Sequence, residues 1–88
     1  MKKIEITVKD PAGMHARPAS ILSKEAGKFA SDITIEYGEK QSNMKSIMGI
    51  LSMGIQADCD IVISIEGEDE SDAHVALETV LKDTKIAG

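Results

Sequence analysis

The chain has 88 residues, 42% of them hydrophobic, and a formal net charge of −5, so one small domain over residues 1–88 is expected, burying only about 60–65% of its extended surface. Its acidity argues against nucleic acid or an anionic membrane as the main partner, since both select basic surfaces. No membrane insertion is expected either, because no stretch approaches the ~18 consecutive apolar residues of a span.

Met1-Lys2-Lys3 is followed by alternation rather than an apolar block, so the start does not read as a secretory leader and a cytoplasmic location is expected. Ile4, Ile6 and Val8 alternate with Lys3, Glu5, Thr7 and Lys9, the period of a strand with one wet face, until Asp10-Pro11-Ala12-Gly13 stops it. Ala19, Leu22, Ala26 and Phe29 recur at helical spacing and predict an amphipathic helix from about Ala16 to Lys28, with Pro18 tolerated in its first turn. Alternation returns at Ile33, Ile35 and Tyr37. Gly38-Glu39 then turns the chain into a polar run, Lys40 to Asn43, whose composition suits a sheet edge. Ser46 is placed to N-cap a short helix kept brief by Gly49 and Gly54. Ile61, Ile63 and Ile65 make another strand. Asp69 or Ser71 caps the last helix, in which Ala73, Ala76, Leu77, Val80 and Leu81 line one side and acids crowd the first turn.

The order is therefore βαββαβα. Clean alternation gives each apolar strand one buried face, so the helices must cover a single side, and the fold class is a two-layer α/β sandwich with an open sheet. Phe29 and Tyr37 read as packing residues and His74 as a solvated surface residue. Cys59, the one cysteine, has neither a disulfide partner nor clustered ligands and reads as structurally neutral. No metal and no cofactor are expected.

The chemistry concentrates at His15. An imidazole with an ordinary pKa of ~6.5 is a nucleophile near neutral pH, and His15 directly precedes a helix whose first N–H groups attract anions. Arg17 adds a planar cation able to grip phosphate oxygens in two places. No Asp/His pair is expected beside His15. A lone His before a helix is also a common surface cap, so the pattern by itself leaves that option open.

The whole run Gly13-Met14-His15-Ala16-Arg17-Pro18-Ala19 resembles the active-site signature of the HPr family, the histidine-containing phosphocarriers of the sugar phosphotransferase system. Asn43 to Ile55 resembles the regulatory-serine segment of the Gram-positive members, at the family's spacing from His15, and the likeness runs from about residue 2 to residue 82. Departures are Ala57-Asp58-Cys59 and the ending from Asp83. The resemblance implies an antiparallel sheet of order 1-4-2-3 with three helices on one face. It further implies that enzyme I places phosphate on Nδ1 of His15, steadied by Arg17, and that IIA components of sugar permeases remove it, so that the chain is a carrier acted on by enzymes rather than an enzyme. Ser46 is implied as the target of an ATP-dependent HPr kinase/phosphorylase, with a catabolite-control transcription regulator as a further partner. Met14, Ala16, Ser20, Ile47, Met48 and Leu51 are expected to form the docking face, with Met53 in the same apolar patch, and a monomer is expected. Competing readings are a nitrogen-branch phosphocarrier, a small acyl-phosphate hydrolase and a metabolite-binding regulatory domain.

Overall fold

Seven elements follow one another in the computed structural model, which describes residues 1–87: β1 (Lys2–Thr7), α1 (Ala16–Ala26), β2 (Asp32–Tyr37), β3 (Lys40–Asn43), α2 (Ile47–Ser52), β4 (Asp60–Glu66) and α3 (Glu70–Asp83). The strands form one antiparallel sheet in the order β1-β4-β2-β3. Register explains why the alternation was so clean. Ile4, Ile63 and Ile35 lie opposite one another across three strands, as do Glu5, Val62 and Glu36, so one pleat surface is aliphatic and the other is largely polar. β3, with no aliphatic side chain, occupies an edge.

The three helices lie over the aliphatic surface. Leu22, Ile33, Ile35, Ile50, Ile61, Ile63, Ile65, Leu77 and Leu81 are all buried there, and each such side chain contributes about 1.5–3 kcal/mol relative to exposure. α1 is shorter than its periodicity predicts: it ends at Ala26, and Gly27 and Lys28 form a tighter turn closed by Lys28 N–H donating to Glu25 O at 3.2 Å. The ending from Asp83, a departure from the expected family pattern, has a structural role. Lys85 takes φ 61° and reverses the chain, Ile86 is fully buried, and Lys9 N–H donates to Ile86 O at 2.7 Å, so Ala87 bridges to Val8 beyond the end of β1.

Asp69 stands at the N-cap of α3, yet its side chain caps nothing in that helix. Its carboxylate turns to the segment leading into β2 instead, accepting the Ala30 N–H at 2.8 Å, the Ser31 N–H at 2.9 Å and a short hydrogen bond from the Ser31 hydroxyl. The Ser31 hydroxyl first, and the Ala30 N–H next, hold the Asp69 carboxyl below its ordinary pKa. A carboxylate shifted this way contributes stability that is fully present above its unfolded-state value, about 3.9, and is lost as pH falls through the lower folded-state value. Asp69→Asn is therefore expected to lower the urea midpoint at neutral pH, and its gap from wild type to narrow progressively as the pH falls below about 3.9; urea titrations at neutral pH and at a series of acid pH values measure it.

Candidate functional site

The loop between β1 and α1 is folded on itself by hydrogen bonds of its own. Gly13 N–H donates to Asp10 O at 2.9 Å, and Ala12 N–H donates to the Asp10 carboxylate at 3.0 Å, an arrangement that Asp favours at the head of a turn. Gly13 then takes φ +73° against the segment after α2: a Cβ there would sit 2.6 Å from Ile55 O and 2.9 Å from Gln56 Cα. Met14 N–H donates to the same Ile55 carbonyl at 3.0 Å. With both sides of the turn pinned, His15 arrives at the N-cap of α1 in an extended conformation (φ −87°, ψ −171°), and its side chain caps nothing. The imidazole, not engaged by its own helix, projects at the helix end, where first-turn N–H groups lack intrahelical acceptors.

The expectation that no Asp/His pair accompanies His15 is corrected here. Asp10 Oδ2 lies 3.2 Å from His15 Nε2 and 2.9 Å from Arg17 Nη2, so one oxygen serves both. The Asp10 side chain is only 10% exposed, against 39% for His15 and 58% for Arg17. The Ala12 N–H foremost, then His15 and Arg17, depress the Asp10 pKa against the opposing effect of burial. Sequence spacing conceals this residue because Asp10 belongs to the strand-ending turn, and only the reversal at Gly13 carries its carboxylate back to the helix start. The Asp-Pro-x-Gly turn signature was the available signal.

Arg17 stands beside His15 as expected, but not as a free fork, since one of its five N–H donors already engages Asp10. Ser46 occupies the N-cap of α2, and its hydroxyl accepts the Gly49 N–H at 3.0 Å. Ile47 and Met48 beside it are 41% and 75% exposed, Leu51 is half-buried against the core, and Ala16 and Ser20 are exposed on α1. Two residues of the expected patch are corrected: Met14 and Met53 are 4% and 3% exposed and belong to the core. Met14 is drawn inward by the same Ile55 hydrogen bond that turns His15 outward. His74 is half-buried and paired with Glu78 one turn along α3 at 3.1 Å, remote in sequence from this surface. Cys59 is half-buried and accepts a 3.5 Å hydrogen bond from the Tyr37 hydroxyl.

Comparison with known proteins converges on one family. The family model described as the PTS HPr component phosphorylation site matches residues 2–83. Phosphocarrier protein HPr of Mycoplasma capricolum is 44% identical over 86 residues, covering 98% of this chain and 97% of that protein. A solved histidine-containing phosphocarrier protein of Mycoplasma superposes with a TM-score of 0.95 at 43% identity, covering 98% of each chain. The HPr dimer of Thermoanaerobacter tengcongensis superposes at 0.73 with 41% identity over the full length of both chains.

The close approach at Gly13 makes a sharp test of how the site is held. Gly13→Ala adds a left-handed penalty of about 1–2 kcal/mol to the displacement of Ile55 and Gln56, and a total loss of about 2 kcal/mol or more is expected. Urea unfolding reads the loss, and amide chemical shifts should move both around His15 and around Ile55.

Proposed function

The chain belongs to the PTS HPr family of phosphocarriers, and from that premise we propose that His15 is the residue that carries phosphate, received from enzyme I and passed to the IIA components of sugar permeases. The observation that carries this reading is a partly exposed imidazole at the N-terminus of α1 with a guanidinium two residues on. An imidazole nitrogen attacks phosphorus as the bond to the donor breaks, and the donor leaves with that electron pair. Arg17 and the helix terminus then face the phosphate oxygens. Shallow placement suits a carrier. A deep pocket would hold the group more firmly but would bar the in-line approach of a second protein's nucleophile. On this reading the chain is a substrate of two enzymes and works in the cytoplasm, and no described helix is long and apolar enough to cross a membrane.

The docking face proposed for these partners comprises Ala16 and Ser20 from α1 with Ile47, Met48 and Leu51 from α2. Exposed methionine beside isoleucine provides an apolar surface that adapts to different partners. A single chain presents both this face and His15, so a monomer suffices for transfer. Ser46 lies at the margin of the same face. We take it as the target of an ATP-dependent kinase/phosphorylase, with the phosphorylated face also offered to a catabolite-control transcription regulator. Phosphate at Ser46 sits at the start of α2, which tolerates negative charge, so its effect falls on docking rather than on folding.

Incubation with phosphoenolpyruvate, Mg²⁺ and enzyme I, followed by intact mass analysis, is expected to add one acid-labile, alkali-stable phosphoryl group to wild type and none to His15→Ala, while Arg17→Ala is labelled more slowly. Undiminished labelling of His15→Ala would remove His15 from the role. For Ser46, the expected outcome is that Ser46→Asp, or protein phosphorylated by the kinase, accepts phosphate from enzyme I about tenfold more slowly or worse, since like charges meeting at an interface cost at least the ~1.4 kcal/mol that a factor of ten represents. Stopped-time mass analysis reads the rate, and a wild-type rate returns Ser46 to a simple helix cap.

A further inference from the structure

The carboxylate under the site has no counterpart in the chemistry assigned so far. Asp10 is more enclosed than either residue it touches, and its two oxygens are divided between tasks: Oδ1 accepts the Ala12 N–H, which fixes the side chain in its turn, and Oδ2 meets His15 Nε2 and Arg17 Nη2. A side chain held at one oxygen by its own backbone has little freedom to swing away from the ring.

We propose that Asp10 is a positioning residue for phosphoryl transfer, accepting the hydrogen on Nε2 of His15 so that Nδ1 keeps the free lone pair, and holding Arg17 beside the same ring. This rests on the reading of His15 as the phosphate acceptor, and it assigns to Asp10 the task of keeping Nδ1, the nitrogen the family resemblance implies, available. An ionised carboxylate can only accept hydrogen bonds. At 3.2 Å from Asp10, Nε2 of the neutral ring must therefore be the protonated nitrogen, and the partner of one ring nitrogen decides the state of the other. Asp10 is ionised at neutral pH as any ordinary carboxylate is, and the Ala12 N–H, ahead of His15 and Arg17, shifts it further toward that form.

The electron balance of the step gives Asp10 a second effect. As the Nδ1 lone pair forms the P–N bond, the bond between phosphorus and the donor breaks and its electrons leave with the donor. The ring, still protonated at Nε2, becomes positively charged. A carboxylate already in contact with Nε2–H stabilises that charge without taking the proton, and it needs no rearrangement at the moment of reaction. Arg17 meanwhile is held at 2.9 Å by one donor, leaving its others for the incoming phosphate.

Asp10→Asn is the discriminating variant, because the amide oxygen can still accept the Ala12 N–H while the amide nitrogen faces His15 with hydrogens instead of a lone pair. A preserved backbone amide spectrum establishes that the variant is folded. ¹⁵N NMR of the unphosphorylated proteins at alkaline pH is expected to show the Nε2–H tautomer of His15 predominating in wild type and losing that predominance in Asp10→Asn. Acceptance of phosphate from enzyme I should fall about ten- to hundredfold, the range typical of losing an orienting partner. A wild-type ring protonated at Nδ1, or a variant with unchanged tautomer and unchanged rate, would overturn the proposal while leaving His15 as the acceptor. Failure of wild type to take phosphate on His15 at all would overturn the reading of the site and this proposal together.

Discussion

Everything at the candidate site depends on two backbones passing close to one another at Gly13 and Ile55. The loop after β1 carries His15, and the segment ending in Ile55 follows α2, which carries the exposed Ile47 and Met48. Only a residue without Cβ, and at a left-handed φ, permits the contact. The Ile55 carbonyl then receives the Met14 N–H. The segment bearing His15 and the helix bearing the exposed Ile47 and Met48, distant in sequence, are thereby joined, and buried Met14 is the anchor that makes the join.

Beneath this contact the sheet provides the rigidity. β4 sits between β1 and β2, with Ile63 opposite both Ile4 and Ile35, Ile61 opposite Ile6 and Ile65 opposite Ile33, so the strand that leads into the site loop is held by an aliphatic layer closed by the fully buried Val8. The C-terminal turn adds a brace at the same end, where Lys9 N–H meets Ile86 O one residue before Asp10. Asp10 is thus attached to a backbone tied on both sides, which is what a residue meant to orient an imidazole requires.

The site is electrostatically restrained rather than strongly cationic. Arg17 is the cation nearest His15 in sequence, yet it shares a carboxylate oxygen of Asp10 with the imidazole. On the proposed reading, phosphate arriving at His15 would meet a guanidinium already in place but also a negative charge close by. Such a balance would limit how firmly phosphate is held, which suits a carrier that passes its cargo on.

Much of this was legible in the residues alone. Period-2 alternation at Ile4-Ile6-Val8 and Ile61-Ile63-Ile65, and the polar stretch at Lys40–Asn43, determined the strands, their buried faces and the edge position of β3, because side-chain direction in a strand follows sequence parity. Helix starts at Ala16 and after Ser46 were written in local chemistry, as was the pairing of His15 with Arg17. What sequence could not convey was how chain reversals bring separate segments together. The inward turn of Met14 and Met53, the diversion of Asp69 from its own helix to Ala30 and Ser31, and the meeting of Asp10 with His15 each depend on a contact that no periodicity encodes. Local pattern decides which elements form and which face is apolar, since those follow from backbone geometry within a few residues. Only the packed fold decides which polar groups meet, because hydrogen-bond partners are chosen by distances of about 3 Å that the tertiary arrangement alone sets.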